Sequence, residues 1–208
     1  MNHEQPHNEP QQPEHDPADP ECEPATNPQI WVASLADYND GTLHGAWMDA
    51  AREVEAIHAD IQAMLAASPL AAETGQPAEE WGIFDFEGFG AFRLAEYENL
   101  EVVSRIACGI AEHGLAYAAF AEVMDGDPDA LAGFTDAYRG HYDSVEAYAE
   151  EFAEGVGYYE ALERAVPEAI RPYIRLDTEA MAHEMQIGGV IHVLAAENGG
   201  VWIFRGDA

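Results

Sequence analysis

Residues 30–41 read IWVASLADYNDG and carry the clearest local signal in the chain. The run from Ile30 to Leu35 is rich in β-branched and aromatic residues, which favour a strand. The polar run from Asp37 to Gly41 that follows it is typical of a turn. This stretch therefore predicts that the folded part opens with a strand and a tight reversal of the chain.

Further strands and helices follow in irregular order. A second strand is predicted from Trp81 to Phe86, and a closing hairpin from residues 190–194 and 201–204, joined through Asn198-Gly199-Gly200. Apolar residues at helical spacing and helix-end signals predict helices at 46–65, from Leu100 to a stop at Gly114, from a capping box at 143–146, from Pro167 to before Tyr173, and after Asp177 or Thr178. The sequence therefore predicts an α+β fold.

The charge is the most unusual property of the composition. Forty acidic residues face eight cations, all of them arginine, so the formal net charge is -32. Binding to DNA, RNA or an anionic membrane relies on Lys and Arg against phosphate. We therefore expect no direct binding to nucleic acid and no membrane partner.

The charge divides the chain into three parts. Residues 1–28 hold seven acids, seven of the twelve prolines and no cation, which predicts a disordered acidic tail. Residues 29–163 have a balance of -23, whereas residues 164–208 have a balance of only -2. Solubility alone does not require such a division, so the acidic surface is concentrated on the middle of the chain.

The catalytic and metal-binding motifs that the sequence suggests are all incomplete. His183-Glu184 lacks the second histidine of a zinc protease motif, and the calcium-like run from Asp125 is interrupted by Pro128 and lacks the glycine at its sixth position. Serines have no nucleophile-elbow context. We therefore predict no catalytic residue, no metal site and no cofactor, and the protein is not expected to be an enzyme.

Targeting signals are also missing from the sequence. No apolar run approaches the ~18 residues of a membrane span, and the first residues do not resemble a signal peptide. Cys22 and Cys108 form no CxxC pair, which fits a reducing compartment. We expect a cytoplasmic protein.

Several blocks, taken together and in order, resemble the ArdA-type antirestriction proteins. The blocks are 30–35 continuing through 37–39, Gly41 and 43–45 to Trp47; 79–83 with 85–89; 96–98; 138–140; and 167–168 with 173–174 and the helix at Asp177. Two positions depart from the family pattern, because Arg175 stands where an acid is usual and Phe84 replaces a histidine. The blocks cover nearly all of the chain after residue 28.

The resemblance implies an elongated protein of three small subdomains in a row, with short antiparallel sheets and helices. We place an N-terminal α/β subdomain at 29–97, a helical middle subdomain at 98–138 and a C-terminal α+β subdomain at 139–208. The resemblance also implies a homodimer, associated with mobile genetic elements, that imitates bent B-form DNA. Such a dimer would occupy the DNA-binding groove in the methyltransferase core of a type I restriction–modification enzyme.

The DNA-mimic hypothesis names a set of surface carboxylates for partner binding. They are Asp49, Glu53, Asp60, Glu79, Glu80, Glu87, Glu98, Glu101, Glu112, Glu122, Asp143, Glu146, Glu150, Glu151 and Glu154. Asp49, Glu53 and Asp60 are expected on one helix face. Within the row Asp143, Glu146, Glu150 and Glu154, residues four apart lie on one side of a helix about 6 Å apart and can substitute for a row of phosphates.

Two other classes of protein remain open on the composition. One is a general acidic binding protein for basic DNA-binding proteins, and the other is a halophile-like acidic protein with an enzymatic site not yet located. The near-neutral segment 164–208 is the better candidate for the dimer interface, since two strongly acidic surfaces repel each other.

Overall fold

The computed structural model describes residues 27–206. Its first sheet, sheet A, consists of β1 (Gln29–Ser34), β2 (Gly45–Asp49) and β3 (Trp81–Glu87), all antiparallel, with β1 in the centre. Ile30, Val32 and Ala33 of β1 are fully buried. The predicted opening strand and the second strand are confirmed.

The predicted helix at 46–65 is wrong in its first third. Residues Gly45–Asp49 form β2, paired with β1 from Asp49 opposite Gln29 to Gly45 opposite Ala33, and the helix α2 begins only at Val54 and ends at Ala66. Ala46, Met48 and Ala50 also lie at a spacing of two, although apolar Trp47 interrupts the alternation, and pairing with β1 selects the strand. Local spacing could not decide between the two.

Two short helices flank sheet A. Helix α1 (Leu35–Asn39) follows β1, and helix α3 (Pro69–Thr74) follows α2. Both begin with a serine cap: the Ser34 hydroxyl accepts from the Asp37 amide, and the Ser68 hydroxyl accepts from the Ala71 amide.

The middle of the chain is helical. The helices are α4 (Leu100–His113), α5 (Leu115–Val123), α6 (Pro128–Ala132) and α7 (Phe134–Ala137). The predicted stop at Gly114 is confirmed, since Gly114 has a φ of +73° and separates α4 from α5. A Cβ on Gly109 would collide with the Tyr117 ring, so this glycine permits the close contact between the two helices.

The second sheet, sheet B, consists of β4 (Tyr138–Tyr142), β5 (Ile191–Ala195) and β6 (Val201–Arg205), with β6 in the centre. The pairing of β5 with β6 confirms the predicted closing hairpin. One face of sheet B is covered by the helices α8 (Val145–Gly155) and α10 (Thr178–Ile187).

The helices predicted in the C-terminal part of the chain agree only partly with the structure. Asp177 caps α10 as expected, but the cap of α8 is Ser144 rather than Asp143. Pro167 opens a turn and a 3₁₀ segment at Arg171–Tyr173 instead of a helix. The helix α9 (Tyr158–Ala165) was not predicted, since Gly155 and Gly157 obscure its start.

The apolar core continues across the predicted subdomain boundaries. A large cluster runs from β1 through α4 and α5 to Trp202 and Phe204 of β6. The other face of β6 contributes Ile203 to a second, smaller cluster beneath α8 and α10. Sheet B therefore joins the middle helices to the C-terminal ones, and the fold is α+β as predicted.

The expected disordered tail falls on residues 1–28, of which 1–26 lie outside the described residues. Pro28 is fully buried, and its carbonyl accepts a hydrogen bond from the Ala50 amide at 2.8 Å. The side-chain amide of Asn27 donates to Asp49. The folded part therefore starts no later than Pro28.

Candidate acidic interaction surface

Most of the predicted carboxylates face solvent. Of the fifteen, thirteen are exposed, and Asp49 and Glu98 are half-buried. Ionised carboxylates rarely enter a core without a partner, because desolvation costs more than local contacts return. Exposure was therefore predictable from residue type, whereas the arrangement of the carboxylates was not.

The expected helix face of Asp49, Glu53 and Asp60 does not exist. Asp49 ends β2, where its carboxylate accepts from the Ala51 amide at 2.9 Å and from Asn27 at 3.1 Å. Glu53 is the N-cap residue of α2 and makes no side-chain cap. Only Asp60 lies within the helix, and it is paired with Arg52 at 2.6 Å.

The three predicted carboxylates next to or within β3 lie at the two ends of that strand. Glu79 and Glu80 precede the strand, and Glu87 is its last residue. Seven residues of extended chain separate Glu80 from Glu87 by about 23 Å. The three therefore belong to different parts of the surface.

Four predicted carboxylates belong to the middle of the chain. Glu98 accepts hydrogen bonds from the Ala95 and Asn99 amides and so stabilises the turn before α4. Glu101 lies in the first turn of α4, where a negative charge is favourable to the helix dipole. Glu112, close to His113 at 3.8 Å, lies in the last turn of α4, and Glu122 lies in α5.

The densest row is on α8. Glu146, Glu150 and Glu154 are exposed, while Tyr148, Ala149 and Ala153 are buried on the opposite side. The helix therefore has one apolar face and one acidic face, as its spacing predicts. Asp143 is exposed just before the helix.

Two members of this region have local partners. The Ser144 hydroxyl and the backbone amide of Glu146 hold the pKa of the Glu146 carboxyl below its usual value of 4.5. The carboxylate of Glu151 accepts a hydrogen bond from the Tyr142 hydroxyl at 3.0 Å. Burial, followed by this bond, raises the pKa of Tyr142 to about 12.

Glu150 also borders a groove that contains arginine. The groove encloses about 420 Å³ between α8, α9 and the start of α10, and Tyr159, Arg171 and Arg175 line it as well. No ion pair within 4 Å joins Glu150 to either arginine among the described residues. Sequence reasoning missed this neighbourhood because more than twenty residues separate Glu150 from Arg171.

One carboxylate is an exception to the exposure of the rest. Asp37 is fully buried, and it is the one charged side chain that is buried within residues 27–206. Its carboxylate accepts from the Ser68 hydroxyl at 2.6 Å and from the Leu70 amide at 3.0 Å, which ties α1 to α3. Burial favours the neutral form, but hydrogen bonds with Ser34, Ser68 and Leu70 outweigh it and lower the pKa of Asp37.

The described residues form neither a metal-binding cluster nor a membrane-spanning helix. Between residues 27 and 206, no group of three or more His, Cys, Asp or Glu side chains is placed to hold a metal ion. The helices of this same range are all too short or too polar to cross a membrane.

The fold and the surface define a strongly acidic α+β protein whose carboxylates, apart from Asp37, lie mostly at the surface. Between residues 27 and 206, 32 acids stand against 8 arginines. Over residues 30–199 the chain matches the family model described as antirestriction protein (ArdA). The match spans well over half of the chain, so the protein belongs to this antirestriction family. A search among curated proteins found no match.

Proposed function

We propose that the protein inhibits type I restriction–modification enzymes by presenting its acidic surface in place of B-form DNA, as a cytoplasmic homodimer without enzymatic activity. Family membership supports antirestriction as the function. The observation that carries the finer proposal is the exposure of thirteen of the fifteen predicted carboxylates. Carboxylates that are not used inside the fold are available to a basic partner.

The amount of charge suits this role. The described residues have a formal balance of -24. B-form DNA carries one negative charge per ~1.7 Å of helix axis, so this charge corresponds to roughly 40 Å of duplex. A groove that binds DNA of that length already has its cations arranged for such an object.

The physical mechanism is electrostatic complementarity. Lys and Arg side chains placed for phosphates would meet carboxylates instead, and the long-range field would accelerate the encounter. Because this attraction is between exposed charges that salt screens, inhibition would weaken with added salt. DNA and inhibitor would exclude each other from the groove.

The test combines three measurements on the full chain. We expect inhibition of cleavage by a type I enzyme, relief of this inhibition by excess unmodified DNA, and no shift of free DNA in a gel at physiological salt. A shift of free DNA, or no inhibition of several type I enzymes at excess protein, would contradict the proposal. Equal binding to unrelated basic proteins would instead support a general acidic binding protein.

The homodimer is proposed to form through the near-neutral segment after residue 163. Between residues 164 and 206, five acids face four arginines, and the side chains of Ile170, Tyr173 and Ile174 are exposed. An apolar surface with little net charge lets two copies approach without strong repulsion. Light scattering at micromolar concentration should give twice the chain mass, and a monomer would contradict this part.

A further inference from the structure

A pocket with aromatic and acidic walls lies beside sheet A. It encloses about 320 Å³ between the start of β3, the turn at 96–99 and the first residues of α2 and α4. Trp81 and Tyr97 contribute rings, Glu98 and Glu101 contribute carboxylates, and His58 completes one side. No Arg or Lys lines the pocket.

Backbone contacts explain why these residues meet. The Ile83 amide of β3 donates to the Glu96 carbonyl at 2.8 Å, which holds the turn at 96–99 beside the start of the strand. The Glu98 amide donates to the Ala95 carbonyl at 3.1 Å, so the chain turns here, and Glu98 and Trp81 line the same pocket. On the other side, the Ser104 hydroxyl donates to the Arg52 carbonyl at 2.5 Å and holds α4 against the start of α2.

The tyrosine is not a core side chain. Tyr97 is 68 % exposed, and no ring contact joins it to another aromatic side chain in the described part of the chain. Three residues around Tyr97 are acidic or aromatic. Glu96 accepts a hydrogen bond from the Tyr97 hydroxyl, Glu80 lies within electrostatic range, and Trp81 lines the same pocket. An exposed ring held among carboxylates has no evident role in folding.

The chemistry of the walls selects a cation. The faces of Trp and Tyr attract positive charge, and carboxylates at the rim add to that attraction. Anions are disfavoured, although two helices begin here, because Asn99 already accepts from the Glu101 amide and the adjacent carboxylates are negative. A flat guanidinium can stack on a ring and bond a carboxylate through two N–H groups, which an ammonium cannot.

We propose that this pocket binds an arginine side chain of a basic partner protein, by stacking on Trp81 and Tyr97 and pairing with Glu98 or Glu101. The identity of the partner rests on the proposed function, while the affinity for arginine does not. The pocket would add a specific contact to an attraction that is otherwise spread over the acidic surface. It would also favour Arg over Lys.

The first experiment uses a neutral-ended peptide, N-acetyl-Gly-Arg-Gly-amide, titrated into the full chain at physiological salt and followed by NMR. We expect shifts centred on Trp81, Tyr97 and Glu101, weaker binding of the lysine peptide, and little binding of the uncharged citrulline peptide. Shifts spread over α8, or equal binding of the citrulline peptide, would overturn the proposal.

The decisive variant is Tyr97→Leu, because it removes a ring without changing the charge. We expect this variant to bind the arginine peptide about 2- to 5-fold more weakly than the wild type does. The matched control is Tyr158→Leu, which removes a ring that is 47 % exposed on α9 and should leave binding unchanged. Unchanged binding by Tyr97→Leu would show that the pocket makes no ring contact with the cation.

A second pair of variants tests the rim. Glu101→Gln should lower the affinity for the arginine peptide about 2- to 5-fold. Glu112→Gln makes the same charge change at the other end of α4 and should leave this affinity unchanged. Equal loss in both would indicate diffuse attraction and would overturn the proposal. A thermal melt of each variant shows whether the fold is retained.

Inhibition assays separate this proposal from the one on which it rests. If wild type and Tyr97→Leu inhibit a type I enzyme equally and neither binds the peptide, the pocket is wrong and the proposed function stands. If the peptide binds at the pocket but no type I enzyme is inhibited, the pocket stands and the proposed partner is wrong.

Discussion

The aromatic pocket beside sheet A and the groove beside α8 both place glutamates beside aromatic side chains, but they differ in their cations. The pocket combines Trp81 and Tyr97 with glutamates, the groove combines the single ring of Tyr159 with glutamates, and both are open to solvent. Arg171 and Arg175 line the groove, whereas no cation lines the pocket. The pocket can therefore receive a cation from a partner, while the groove already holds two of its own.

The difference shows that a count of acidic residues does not describe an acidic surface. A carboxylate is available to a partner only if the fold brings no arginine close to it. Asp60 is paired with Arg52, while Glu101 has no such partner among the described residues. The value of each glutamate for binding is therefore decided by its neighbours in space.

The largest expected effect comes from reversing the row on α8. Glu146→Lys, Glu150→Lys and Glu154→Lys together should weaken inhibition of a type I enzyme by about 100-fold or more, since like charges facing each other in an interface cost several kcal/mol. Inhibition titrations measure the effect. A small loss would show that Arg171 and Arg175 already make this row ineffective.

The matched control reverses three exposed acids in the near-neutral segment. Glu168→Lys, Glu179→Lys and Glu184→Lys change the net charge by the same amount. We expect a much smaller loss of inhibition than for the α8 row in protein that light scattering shows to be still dimeric. Equal losses would mean that net charge, rather than position, controls inhibition.

The next effect is on the pH dependence of stability, to which the N-terminal and C-terminal parts of the fold contribute at opposite ends of the pH range. The lowered pKa of Asp37 means that its ionised form stabilises the fold above the usual carboxyl value of 3.8. This stabilisation is lost as the pH falls through the lower folded-state value. Asp37→Asn should cost about 1–3 kcal/mol at neutral pH and flatten the acid limb of the stability curve.

Tyr142 in β4 should behave in the opposite sense. Its pKa is raised from 10.0 to about 12, so the neutral phenol stabilises the fold below pH 10, and this stabilisation disappears between pH 10 and 12. Tyr142→Phe should reduce that alkaline loss without changing the acid limb. Denaturant unfolding across the pH range tests both variants, and an identical response of the two would contradict the assignment.

A smaller effect should come from removing the groove's own cations. With Arg171→Gln and Arg175→Gln, the groove presents Tyr159, Glu150 and Glu163 without positive charge. We expect it to bind the arginine peptide within a few-fold of the pocket beside sheet A. No binding by this variant would show that ring placement, not the presence of arginine, distinguishes the two sites.

The smallest expected effect concerns repulsion within α8. Glu150→Gln with Glu154→Gln removes both pairs of like charges four residues apart, Glu146/Glu150 and Glu150/Glu154, and should raise Tm by about 1–4 °C. Glu146→Gln should not raise it, because this carboxylate lies in the first turn and bonds Ser144. A lower Tm for the double variant would show that these glutamates stabilise the helix.

Local chemistry made several elements predictable. The β-branched run at 30–35 and the paired runs of the closing hairpin are strands because their side chains suit a pleated surface. Gly114 and Asp177 mark helix ends because one permits a positive φ and the other caps free amides. The missed start of α2 and the missed α9 lie where two local patterns compete or glycines interrupt one.

The sequence by itself determined the charge, the fold class and the outward direction of the carboxylates, because these follow from the cost of burying ions and from short-range periodicity. Tertiary structure alone decided which groups meet. Ser68 bonds Asp37, Tyr97 approaches Trp81, and Arg171 shares a groove with Glu150. Such contacts depend on how helices and strands pack at distances that no local pattern encodes. They are therefore read only from the folded chain.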